Sequence, residues 1–246
     1  MSPYLSVVIP AYNEERRLPP SLEAIWAFLT NQPYSAEIIV SDDGSTDATV
    51  KLANAFGRGK PVRVISDGVN RGKGHAVRTG MLAAAGENVL FTDADLATPI
   101  EEVNALLSAR EGGYDVAIAS RGLADSRLEV REPWFREWLG RGGNLLIQLV
   151  ALPGIWDTQC GFKLFSRAAC RDVFSRSVID SIALDVELLF LARRMGYRIK
   201  EVPVRWRHDP DSRMRLARES SRMLRDLARI RWIHRRVSPR CRTETP

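Results

Sequence analysis

Short apolar, β-branched runs alternate with helix-like stretches through the first half of the chain, and no other feature narrows its fold so far. Candidate strands span residues 5–9, 37–40, 62–66, 88–92 and 116–119, with helical patterns near 18–30, 47–56, 74–85 and 100–110. Strands and helices in this order predict βαβ units and a mostly parallel sheet, an α/β fold. Such sheets bind ligands beyond the carboxyl ends of their strands. Polar motifs follow directly after the first, second and fourth strands, so they are expected to converge on one rim. A chain of 246 residues can bury its core as one domain. The expected division is a domain over 1–211 followed by a C-terminal extension over 212–246.

Composition removes several alternatives. With 45% hydrophobic and 27% charged residues the chain is expected to be globular rather than disordered. The longest uncharged stretch, 142–156, has 15 residues and carries Gly, Asn, Gln and Pro, short of the roughly 18 apolar residues of a transmembrane helix. The N-terminus enters a strand without a basic leader, which predicts no signal peptide. Cys160, Cys170 and Cys241 are too few and too scattered for a disulfide framework or a zinc site, so a reducing cytoplasm is the simpler expectation. The net charge of +6 is unevenly spread. Residues 213–242 hold eleven Arg against Glu219 and Asp226, a net of +9, which leaves −3 for the rest. The anionic partner is therefore expected at one place.

Four clusters carry chemistry. Pro10-Ala11-Tyr12-Asn13-Glu14-Glu15 closes the first strand, and Ser41-Asp42-Asp43-Gly44-Ser45-Thr46-Asp47 closes the second. Thr46 or Asp47 would suit a helix cap. Adjacent Asp42 and Asp43 repel unless something polar or cationic binds them. Asn70-Arg71-Gly72-Lys73-Gly74 enters a helix, where glycines and cations suit phosphate or a nucleotide. It is not a Walker loop, because His75 stands where Ser or Thr should follow. Asp93-Ala94-Asp95 lies just past an apolar strand, and two carboxylates at i and i+2 make a hard-oxygen site for Mg²⁺ or Mn²⁺. Such an ion would clamp the pyrophosphate of a nucleotide diphosphate. An exposed acidic turn would read the same way in isolation.

In this order, VVIPAYNEE, VSDDGSTDAT, NRGKGHAVRTG and TDADLATP resemble the family 2 glycosyltransferases, across residues 5–121. The resemblance implies the GT-A nucleotide-sugar fold, a single Rossmann-like domain. It implies that Pro10, Ala11, Tyr12, Glu14 and Asp43 hold the nucleoside, with Arg71, Lys73 and Ala94 also at the donor. Asp93 and Asp95 would serve pyrophosphate and metal. Further on, Ala119-Ser120-Arg121, Arg136, Asn144 and the run DTQCGFKLF from Asp157 resemble the dolichyl- and polyprenyl-phosphate sugar synthases. With ALDVELLF and EVPVRW, the likeness is to their β-glucosyl branch, which uses UDP-glucose. Two departures weaken a mannosyl reading: Ala97 stands where mannosyl relatives usually carry Gln, and Gly140 where Ser is common. Eukaryotic glucosyl relatives carry an N-terminal membrane helix that this sequence lacks.

The resemblance implies an inverting enzyme that moves one sugar from a UDP-sugar to a polyprenyl phosphate. Glucose leads, with other UDP-hexoses or N-acetylhexosamines open. The residues agree in kind. A hydroxyl acceptor must lose a proton to a base, whereas a lipid phosphate is already anionic and needs cations to hold it in line. The chain has only His75, His208 and His234 but many arginines beyond the Asp-Ala-Asp motif. Arg121 and Arg136 are the candidates for the acceptor phosphate, with Arg131 and Arg141 in reserve. Asp157 would orient the sugar, act as a base or cap a turn. Asp185 and Glu187 are expected to cap or brace a helix, and Cys160 to pack. Two alternatives stay open: a family 2 transferase with a hydroxyl acceptor, and a non-catalytic nucleotide-sugar-binding subunit of a membrane complex.

The tail supplies the expected route to the membrane. Trp134, Phe135, Trp138 and Trp156 flank an apolar run, and Trp favours headgroup depth. At 100° per residue, Arg218, Arg222, Arg225, Arg229 and Arg236 share one helical face, opposite Leu216, Met223, Leu227, Ile230 and Val237. Such a helix would lie on an anionic membrane surface, on the cytoplasmic side, or against a small membrane-protein partner. The alternative is that the apolar stripe packs on the catalytic domain, and nothing in the catalytic half supports a nucleic acid.

Overall fold

A computed structural model describes residues 2–130, 147–148, 151–207 and 216–239, with side chains of 128–130 and 216–224 left out of the description. Arg131, Arg136, Gly140, Arg141, Asn144, the tryptophans at 134 and 138, and the expected boundary at 211/212 lie outside the described residues.

The strands are β1 (Leu5–Ala11), β2 (Ala36–Asp42), β3 (Val62–Ile65), β4 (Asn88–Thr92), β5 (Val116–Ser120), β6 (Arg127–Val130), β7 (Phe162–Ser166), β8 (Ile199–Pro203) and β9 (Arg205–Arg207). The helices are α1 (Leu18–Thr30), α2 (Thr49–Phe56), α3 (Lys73–Ala83), α4 (Val103–Glu111), α5 (Arg167–Phe174), α6 (Leu184–Arg194) and α7 (Leu216–Ile233). Seven strands form one sheet in the order β3-β2-β1-β4-β7-β5-β8, and β6 pairs with β9 in a small ribbon. Every pairing in the large sheet is parallel except those of β7, which runs against β4 and β5. The expected α/β domain with a mostly parallel sheet is the observed one.

Burial explains the near-continuous apolar strands. All seven residues of β1 are buried, as expected where helices cover both faces. Alternate side chains divide between two cores. Val8, Ile39 and Phe91 pack with Val77 and Met81 of α3 and with α5 and α6, whereas Val7, Ile9, Ile38 and Val40 pack with α1 and α4. Gly80 lets α3 press on the sheet: a Cβ there would lie 2.5 Å from a Val8 methyl and 3.0 Å from the Ser41 Cβ.

The C-terminal helix departs from one expectation. Leu227 and Ile230 are buried in the core shared with α6, and Val237 packs against it. The apolar stripe there faces the protein and is closed to a bilayer, because Leu and Ile gain more from a preformed apolar surface than from a wet one. Arg225, Arg229, Trp232 and Arg236 are exposed on the other side.

Gly80→Val should lower stability by about 1–3 kcal/mol through overpacking at β1. Urea unfolding with a lower midpoint and an unchanged slope is the expected result.

Candidate active site

The turns after β1 and β2 are bonded to each other. Asn13, at φ 55°, accepts a backbone hydrogen bond from Thr46 at 2.8 Å and donates its own N–H to the Ser45 hydroxyl at 2.9 Å. Asp47 is not the helix cap, a position held by Ala48; its carboxylate accepts from the N–H groups of Thr49 at 2.9 Å and Glu15 at 3.2 Å. The two adjacent aspartates avoid repulsion by pointing at different donors. Asp42 accepts from Gly44 and Ser45 backbone N–H and from the Ser66 hydroxyl. Asp43 accepts from the N–H groups of Arg71 and Gly72, both at 2.9 Å, and so fastens the Asn70–Gly74 loop to the end of β2.

Past β4 the chain turns sharply. Leu96 has φ 46°, a strained value for a bulky side chain and one that clusters at functional sites. The Lys73 ammonium lies 2.6 Å from Asp93, and the Arg17 guanidinium lies 3.9 Å from Asp95 and hydrogen-bonds Glu14 at 2.7 Å. Burial first, and then the neighbouring Asp93 charge, raise the Asp95 carboxyl above its ordinary value. Burial works against the Lys73 ammonium, but Asp93, Asp185 and Asp95 outweigh it and raise its pKa.

The seat of Asp93 comes from the far half of the chain. In the β4–β7 register Thr92 faces Phe162, and the Asp93 N–H donates to the Gly161 carbonyl at 3.2 Å. A Cβ at Gly161 would lie 1.9 Å from an Asp93 carboxylate oxygen. Beneath this contact Lys163 is fully buried, donating to the Cys160 carbonyl at 2.5 Å and pairing with Asp185. Asp185 therefore braces the site floor, and Cys160 packs, its thiol pushed up to about 11 by burial.

These elements enclose a cleft of about 530 Å³. Of the expected donor residues, Pro10, Ala11, Tyr12, Glu14 and Asp43 line it, and so do Lys73, Asp93, Ala94 and Asp95. Arg71 does not: its guanidinium pairs with Asp67, four residues back in the same loop, and only its backbone N–H reaches Asp43. Sequence reasoning missed Arg17, Gly161 and Lys163. The last two stand inside DTQCGFKLF, but nothing in a linear motif says that it abuts the Asp-Ala-Asp turn.

The two carboxylates fit a divalent ion. They face a common cleft, burial and the neighbouring Asp93 charge raise the Asp95 carboxyl, and the nearest cations are flexible side chains that can yield. Among the described residues there is no group of three or more His, Cys, Asp or Glu placed for a metal, so oxygens of a bound diphosphate and water would complete the coordination.

Past the carboxyl end of β5, Arg121 and Asp157 are joined to each other. Arg121 donates through Nε at 2.7 Å, Nη2 at 3.0 Å and its backbone N–H at 2.9 Å, and its guanidinium stacks on Trp206 at 5.1 Å. The Glu201 carboxylate holds the backbone N–H groups of Trp156 and Asp157 at 2.8 and 2.9 Å. Burial would raise the Asp157 carboxyl, but the charge and hydrogen bonds of Arg121, helped by Lys163, hold it below the ordinary carboxylate range.

A known family describes this combination. The glycosyl transferase family 2 model matches residues 6–174. The chain belongs to that family. The dolichyl-phosphate β-glucosyltransferase of Drosophila melanogaster is 40% identical over 245 residues, covering 93% of this chain and 74% of its own. The Saccharomyces cerevisiae protein of the same name is 36% identical, over 94% and 75%. Among solved structures, mannosyl-3-phosphoglycerate synthase from Rubrobacter xylanophilus superposes with a TM-score of 0.72 at 21% identity, over 96% of this chain and 76% of that one. Glucosyl-3-phosphoglycerate synthase from Mycobacterium tuberculosis, solved with Mn²⁺, UDP-glucose and phosphoglyceric acid, gives 0.69 at 22%, over 93% and 79%. These likenesses establish the glycosyltransferase fold.

Two outcomes follow for this family member. Gly161→Ala should displace Asp93 by ångströms and cut kcat/KM for sugar transfer about 100-fold, with the melting temperature little changed. Asp157→Asn should lower the urea midpoint at neutral pH. Because the folded pKa of Asp157 is depressed, its stabilisation is present above the unfolded value and lost as pH falls through the folded one. The gap between variant and wild type should therefore close in acid.

Proposed function

We propose that the chain transfers glucose from UDP-glucose to a polyprenyl phosphate of the dolichyl or undecaprenyl type, inverting the anomeric centre. The observation that carries this reading is a nucleotide-sized cleft ending at Asp93 and Asp95, combined with an acceptor-side carboxylate, Asp157, already fully engaged by Arg121. The names of the relatives support glucose as the sugar and a lipid phosphate as the acceptor.

In this reading Pro10, Ala11, Tyr12 and Asp43 hold the uridine end, and Lys73 lies along the pyrophosphate. Asp93 and Asp95 would hold Mg²⁺ or Mn²⁺, which when bound offsets the charge that collects on the departing diphosphate. Arg121, oriented by Asp157 and Trp206, presents a cation to the acceptor phosphate, and Arg136 adds a second. An acceptor phosphate oxygen forms the new bond to C1 as the C1–O bond to UDP breaks, and its electron pair leaves with UDP. The nucleophile is already an anion, so no base is required. A hydroxyl acceptor would need one, and Asp157 is ill suited because its carboxylate is tied to Arg121 at both oxygens. A silent binding subunit would have no use for the paired carboxylates.

In this reading the enzyme works at a membrane surface, on its cytoplasmic face, and the lipid acceptor supports the membrane part of that reading. No helix among the described residues is long and apolar enough to cross a membrane. The arginine face of the tail would meet that surface, with Arg225, Arg229 and Arg236 exposed beside Trp232.

UDP release, measured with Mg²⁺ or Mn²⁺ across a panel of UDP- and GDP-sugars, tests the reading. Release with UDP-glucose that depends on a short polyprenyl phosphate is expected, and Asp95→Ala should reduce it by about 100-fold or more. Lipid-independent turnover, or full activity in Asp95→Ala with metal present, would overturn it.

A further inference from the structure

The Asn70–Gly74 loop is fixed on one side by Asp43. Its other side rests on residues 177–183, a connection between α5 and α6. The Gly74 N–H donates to the Asp180 carbonyl at 3.1 Å, and Arg78 of α3 donates to the Ser177 carbonyl at 3.1 Å and pairs with the Asp180 carboxylate. The approach leaves no slack. A Cβ at Gly72 would lie 2.8 Å from the Asp180 carbonyl oxygen, and one at Gly74 would lie 2.3 Å from that of Ile179. Lys73, which reaches Asp93, sits between these two glycines. Any shift of 177–183 is therefore passed to the donor cleft.

What holds 177–183 is a set of buried polar groups, two of them from the C-terminal helix and the turn that follows it. Glu187, at 0% exposure, accepts from the N–H groups of Val178 and Ile179, both at 3.0 Å. The same carboxylate meets the His234 ring nitrogen at 2.7 Å. Ser181 donates its hydroxyl to Asp226 of α7 at 2.6 Å, with Asp226 only 7% exposed. Leu227 and Ile230 would dock α7 by apolar burial alone. Burying a carboxylate and an imidazole beside them is costly unless each is bonded. Asp226 meets the segment directly through Ser181, and His234 meets the Glu187 carboxylate that holds the segment, which is the geometry of positioning rather than of adhesion.

We infer that the C-terminal helix is a positioning element of the donor site: Asp226 acts through Ser181, and His234 through Glu187, to set the Gly72–Gly74 loop for the nucleotide-sugar. The inference rests on the nucleotide-sugar reading proposed above. It makes donor affinity, not acceptor affinity or the chemical step, the quantity that α7 governs.

The full chain carrying Asp226→Ala, Asp226→Asn or Ser181→Ala is compared with wild type. UDP-glucose binding is measured by calorimetry, with KM for both substrates and kcat by UDP release. Asp226→Ala and Ser181→Ala should raise the donor Kd and KM about tenfold, the scale of one lost buried hydrogen bond. The acceptor KM and kcat should stay within about twofold. Asp226→Asn keeps an acceptor for the Ser181 hydroxyl and should restore wild-type donor affinity. Ser181→Ala leaves α7 intact, so it decides the matter if Asp226→Ala fails to fold. Unchanged donor affinity in Ser181→Ala, or donor and acceptor KM rising together, would overturn the inference while leaving the donor reading in place. Wild type that binds no UDP-sugar would instead overturn the donor reading and the inference with it.

Discussion

Carboxylates crowd the carboxyl ends of β2 and β4, and the surroundings of the cleft are arranged to tolerate that crowding. Like charges at close range in a partly dry site cost several kcal/mol unless donors or cations face them. Asp42 and Asp43 are answered by backbone N–H groups, which fasten the polar loops to the sheet. Asp93 and Asp95 are answered by Lys73 and Arg17, long side chains that can yield to a bound ion and diphosphate. The first pair is consumed in building the cleft, and the second remains available to a ligand.

The same division applies past the end of β5. Asp157 is spent on Arg121, and Glu201 is spent on the backbone that carries Asp157. A guanidinium held at Nε and Nη2 keeps a fixed direction, which suits a phosphate that must be aligned with a leaving group. In the function proposed above, such a site would orient charge without taking part in proton transfer, and small backbone displacements would matter more than the basicity of any one residue.

The polar anchoring of α7 extends this economy to the tail. Net charge alone marks the tail as a membrane-seeking appendage. Packing shows that from Asp226 to Val237 it is part of the fold, with Leu227 and Ile230 buried and Asp226 and His234 bonded inward. One helix therefore has two faces with separate tasks, an inward one that meets the catalytic core and an outward one that carries the arginines.

Much of this was legible from residue order. Short apolar, β-branched runs between helical patterns reported the α/β alternation, and the Pro10–Glu14, Asp42–Asp47 and Asp93–Asp95 clusters reported the rim, because each closes a strand whose side chains must be buried. Local chemistry of that kind depends on neighbours in the chain, so sequence determines it. Sequence could not place β7 between β4 and β5, bring Gly161 against Asp93 or join Arg121 to Asp157. Those contacts link residues tens of positions apart, and their register follows from how two cores fill on opposite faces of one sheet. The tail marks the boundary most clearly: its amphipathic stripe was written in the sequence, but whether that stripe met lipid or protein was decided only by the apolar surface that α6 offered it.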